Sequence, residues 1–98
     1  MTKTIECRRC KNGFIIKEGI NETIFTDSKD MFDYVSNTFE ERLLFLESRG
    51  DSVWKSFQLS RIDKIEKPYN ITLYFESGIE QHQSSDDFRI MMEYVAFK

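Results

Sequence analysis

One proline, one histidine and two cysteines in 98 residues leave few chemistries open to this chain. Two cysteines in a reducing compartment argue against a structural disulfide. A lone histidine, His82, with no second cysteine pair leaves a structural zinc site short of ligands. No apolar run approaches the ~20 residues of a membrane span. Residues 1–13 are polar and basic, without the apolar stretch of a secretory signal. A cytoplasmic protein with no membrane partner is expected. Glycine-rich phosphate loops, the Walker pattern and the dinucleotide fingerprint do not occur. No acid, base and nucleophile converge on a motif, so neither an enzyme nor a cofactor is expected.

What is present points to a folded domain. Apolar residues are 40% of the chain, and nine Phe, four Tyr and one Trp supply most of their bulk. Aromatic groups each bury a large area, so a core is feasible at this length, and the composition is not that of a disordered chain. Residues 1–98 are expected to form a single α+β domain. The net charge of −3 hides a division: residues 1–17 hold Lys3, Arg8, Arg9, Lys11 and Lys17 against Glu6 alone. Residues 18–51 reverse this, with nine acids against Lys29, Arg42 and Arg49. Such asymmetry speaks to partners rather than to fold.

Hydrophobic periodicity places the elements. Thr4 to Cys10 reads as a ragged strand, Asn12-Gly13 as a tight primed turn, and Phe14-Ile15-Ile16 as the return strand. Glu22 to Phe25 is a third. Asp27 or Ser28 then caps a helix whose apolar stripe is Phe32, Val35, Phe39, Leu43 and Leu46, with Met31 on its margin. Arg49 and Gly50 suggest its end, so the helix is expected over about Lys29 to Ser48. Val53, Phe57 and Leu59 suggest a strand with Trp54 on its other face, and Tyr69, Ile71, Leu73 and Phe75 alternate clearly. Ile79 to Gln83 follows Ser77-Gly78, and Ser84 or Ser85 caps a last helix with Phe88, Met91, Met92 and Val95 inward.

FIIKEGI (Phe14 to Ile20) echoes LYFESGI (Leu73 to Ile79), and Met31-Phe32-Asp33-Tyr34-Val35 echoes Met91-Met92-Glu93-Tyr94-Val95. The offset is 59 at the glycines and 60 at the helices. The expected fold is an antiparallel sheet of five to six short strands with two helices, in the order β-β-β-α-β-β-β-α, open to a reading as two β-β-α units.

Three groups of residues invite a functional reading. Cys7-Arg-Arg-Cys10 is half of a zinc motif, completed only by His82 and a carboxylate or by both cysteines of a second copy in a homodimer. Its bland alternative is one strand with the two cysteines on opposite faces. Arg8, Arg9, Lys11 and Lys17 with Phe14 would suit phosphates and a stacked base, the basis of an RNA- or DNA-binding alternative. The long helix carries Asp30, Asp33, Asn37, Glu40 and Glu41 opposite its apolar stripe, with Leu44 among them and Tyr34 on the flank. Carboxylates around an exposed apolar group suit a contact with a basic protein.

In size and acidity the chain resembles phage- or mobile-element-encoded inhibitors, including anti-CRISPR proteins. The resemblance implies a non-catalytic binding module that blocks a larger nucleic-acid-handling enzyme or ribonucleoprotein by placing carboxylates where phosphates would go. Asp30, Asp33, Tyr34, Asn37, Glu40, Glu41 and Leu44 are the expected contact residues.

Overall fold

The computed structural model describes residues 2–41 and 53–97. Eight elements follow one another: β1 (Thr2–Cys10), β2 (Gly13–Glu18), β3 (Asn21–Phe25), α1 (Ser28–Thr38), β4 (Trp54–Ile62), β5 (Tyr69–Phe75), β6 (Glu80–Ser85) and α2 (Phe88–Phe97). The strands form one antiparallel sheet in the order β3-β2-β1-β4-β5-β6. Both helices cover the same face, giving the α+β architecture expected from the sequence.

The strand order is a palindrome. Two β-β-β-α units meet at the antiparallel β1–β4 pair, whose register runs from Thr2 opposite Ile62 to Arg8 opposite Ser56. The echo in the sequence therefore extends by one strand per unit. Its details recur at a constant offset. Asp27 caps α1 by accepting from the Lys29 N–H at 2.8 Å, and Asp87 accepts from the Arg89 N–H at 2.9 Å. Met31, Phe32, Val35 and Ser36 are buried on α1; Met91, Met92, Val95 and Ala96 are buried on α2. Lys29 pairs with Asp33 and Arg89 with Glu93, each four residues apart. The units differ in their first hairpin, which turns over Lys11-Asn12 in one and over residues 63–68 in the other.

One face of the sheet supplies Ile5, Cys7, Ile16, Trp54, Phe57, Leu59, Tyr69, Ile71 and Leu73 to a single core with the helices. Fully burying each aliphatic or aromatic side chain contributes about 1.5–3 kcal/mol. The Trp54 indole N–H is satisfied within that core by the Val95 carbonyl at 2.7 Å, which ties β4 to α2.

Four sequence expectations are corrected. First, α1 stops at Thr38. Glu41 N–H bonds the Ser36 carbonyl at 2.8 Å and Glu40 N–H bonds the Asn37 carbonyl at 3.1 Å, closing a Schellman motif with Glu40 at φ 58°. A glycine usually holds that position, and its absence hid the stop. The cap is reinforced from the sheet: Lys3 Nζ donates to the Thr38 carbonyl at 2.7 Å and Arg61 Nη1 to the Phe39 carbonyl at 2.8 Å. The expected positions Leu43, Leu46 and Gly50 lie outside the described residues. Second, Met31 is fully buried rather than marginal. Third, Trp54 shares the inner face with Phe57, because an irregularity between Trp54 and Ser56 shifts the alternation, and Val53 is exposed. Fourth, Gly13 closes the first hairpin opposite Cys10 and is required for space: a Cβ there would sit 2.0 Å from the Phe25 carbonyl oxygen.

Candidate functional site

The acidic surface expected on a long helix is distributed over α1 and its cap. Asp30, Asn37 and Glu40 are exposed, and Asp33 is half-buried with Lys29 Nζ 3.9 Å away. Tyr34 is packed against the core, its ring 5.2 Å from that of Phe25. Glu41 is withdrawn from the surface group, because its carboxylate accepts from the Tyr69 hydroxyl. That hydroxyl is held above its ordinary pKa, first by burial and then by the Glu41 carboxylate. Leu44 lies outside the described residues. Asp30, Asp33, Asn37 and Glu40 thus remain as a contact group, and Tyr34 forms its inner edge.

The basic group is divided by the alternation of β1 and β2. Arg8 and Lys17 stand on the face of the sheet turned away from α1 and α2, beside Ile15 and Glu6 in the strand register. Arg9 and Phe14 stand on the opposite face, where the Arg9 guanidinium lies 4.1 Å from the Trp54 ring and 5.7 Å from that of Phe14. Lys11 is at the hairpin tip. Phe14 packs against the core and does not share a face with Arg8 and Lys17, so the phosphate-and-stacking arrangement is not assembled.

Cys7 and Cys10 also part. Cys7 is buried in the core, where desolvation pushes its thiol pKa far up, while Cys10 is exposed. His82 lies on β6, three strands from β1, or about 14 Å at the usual strand spacing. Among the described residues no cluster of three or more metal-ligating side chains is present.

The sequence reading passed over the sheet's second face. The cross-strand register lines up Glu22, Lys17, Glu6, Gln58, Thr72 and His82 in one row, and Ile24, Ile15, Arg8, Ser56, Tyr74 and Glu80 in the next. A cleft of about 290 Å³ opens there between Glu6, Lys55, Ser56, Gln58 and Tyr74. Alternation of polar with apolar residues along β5 was the signal that one face turns away from the core. Thr72 Oγ1 lies 2.8 Å from His82 Nδ1, with Glu80 beyond His82 Nε2 at 3.7 Å. This has the order of a nucleophile, base and acid, but the last separation exceeds a hydrogen bond. The His82 and Glu80 side chains are 69% and 52% exposed.

Taken together, the fold and surface define a two-unit β-β-β-α domain with both described helices on one face of the sheet. No protein-family model, curated protein or solved structure matches the chain. Among the described residues no helix is long and apolar enough to cross a membrane.

Proposed function

We propose that the protein is a non-catalytic binding module that sets the acidic end of its first unit against a basic surface of a larger, nucleic-acid-handling protein. The observation that supports this reading is the contrast between equivalent segments. Residues 27–37 carry Asp27, Asp30 and Asp33 against Lys29, and Glu40 and Glu41 follow at the cap, whereas the matching residues 87–97 carry Asp87 and Glu93 against Arg89. Four buried positions correspond between the two segments, so the outward carboxylates Asp30, Asp33 and Glu40 are not demanded by packing, whereas Glu41 is engaged by Tyr69. Clefts that take phosphates are lined with Arg and Lys, and carboxylates suit them. An inhibitor of the anti-CRISPR kind would act in this way.

The test is capture of partners from host lysate by the tagged protein, with and without nuclease treatment, beside an Asp30→Lys/Asp33→Lys variant. A near-stoichiometric protein retained by the wild type and lost by the folded variant is expected. Equal retention by both would remove this surface. Recovery of nucleic acid in place of protein would move the function to the basic residues Arg8 and Lys17.

A further inference from the structure

Among the described residues, Arg9 is a cation whose buried N–H groups find no acceptor. Its Nε and Nη2 are shut off from solvent and have no hydrogen-bond partner. What holds the group is aromatic: the guanidinium lies 4.1 Å from the Trp54 ring centroid, and Phe14 packs 6.0 Å from Trp54 on the same side.

The second unit shows what such an arginine does when it is answered. β1 and β4 have equal lengths, and the penultimate residue of each is an arginine, Arg9 and Arg61. Arg61 also lies against an aromatic ring, Phe39 at 5.8 Å. Its Nη1 donates to the Phe39 carbonyl beyond α1, and its Nε lies 3.4 Å from Asp63. Two residues after Arg9, where the second unit has Asp63, stands Lys11. The first unit therefore keeps the arginine and its aromatic support but replaces the internal acid with a second cation. Burial lowers the Arg9 pKa for want of a compensating acceptor.

We propose that Arg9 is an oxyanion-binding residue, its Nε and Nη2 edge receiving the two oxygens of a carboxylate or phosphate group with Lys11 close by in the chain. These two N–H groups form the side-on fork of a guanidinium, whose spacing matches paired oxygens bidentately. The site uses none of the residues of the acidic contact group, so the two proposals are tested independently. Because the edge is covered in the unliganded protein, binding uncovers it and alters the surroundings of Trp54.

Trp54 is the single tryptophan and reports on the site directly. The full chain is titrated with sodium acetate and, separately, with inorganic phosphate, ionic strength being held constant with sodium chloride. A saturable change in Trp54 emission is expected with at least one anion. Arg9→Lys, which keeps the charge but not the fork, should weaken it about tenfold or more, and Arg9→Met should abolish it. A response to acetate alone assigns the site to a carboxylate, and a response to phosphate alone to a phosphoryl group. No saturable response to either anion, or one that persists in Arg9→Met, overturns the proposal. Should Arg9→Met fail to fold, an undiminished response in Arg9→Lys overturns it equally.

Discussion

The helices α1 and α2 bury corresponding positions and expose different chemistry. Met31, Phe32 and Val35 face the sheet as Met91, Met92 and Val95 do, and each helix begins on an aspartate cap. Outward, α1 shows Asp30 and Asn37 where α2 shows Ile90 and Phe97. The endings differ too, since α1 closes on a left-handed Glu40, and Lys3 and Arg61 reach from the sheet to the Thr38 and Phe39 carbonyls just before it. Packing dictates the inward positions in both units. The outward ones are free to vary, and it is there that a binding role is to be sought.

This comparison can be tested from its strongest element downward. Phe32→Ala and Met92→Ala remove equivalent, fully buried side chains and should cost about 3–5 and 2–5 kcal/mol. Because one core spans both units, each variant should unfold in a single denaturant transition; two separate transitions would divide the units. A difference within the β1–β4 pair should appear with alkali. Burial keeps the Cys7 thiol protonated in the folded chain, whereas its counterpart Leu59 carries no proton. A raised folded pKa stabilises fully below the unfolded value and less as pH climbs above it. Stability should therefore fall from about pH 8.5, by up to ~1.4 kcal/mol per pH unit. In Cys7→Ala the decline should begin only near pH 10, where the similarly raised Tyr69 takes over. Denaturant midpoints across this range provide the check.

The helix ends give smaller effects. Asp27→Ala and Asp87→Ala should each cost about 1 kcal/mol, and a large inequality would break the equivalence of the caps. Glu40→Gly should raise stability by about 1 kcal/mol by relieving the left-handed residue, while Glu40→Ala should not. Smallest are the exposed pairs, Lys29 with Asp33 and Arg89 with Glu93. Truncating either cation should change the midpoint by only about 0.2–0.5 kcal/mol, less still in high salt.

These expectations also mark what the sequence made legible. Period-two alternation in β5 and the Met-x-x-Tyr-Val runs of the helices exposed the element order and hinted at repetition. The pairing of β1 with β4 was not visible, since their offset of 52 differs from the 59 and 60 of the later elements, in part through a β4–β5 connection of six residues against two. The stop of α1 was hidden because the Schellman position holds glutamate and the apolar spacing runs on past it. Of the acidic group, Asp30 and Asp33 could be placed from helical spacing. The withdrawal of Glu41 depends on Tyr69, which is 28 residues away. The basic hairpin illustrates the same limit: neighbours in sequence, Arg8 and Arg9, lie on opposite faces of one strand.

The most direct test of the binding role uses the symmetry itself. Asp33→Lys and Glu93→Lys make the same charge change at equivalent helix positions, each breaking one exposed ion pair. Their affinities for the captured partner should be measured side by side at low salt. The account predicts that Asp33→Lys weakens binding about tenfold or more and that Glu93→Lys leaves it unchanged. Equal affinities for the two variants would contradict it.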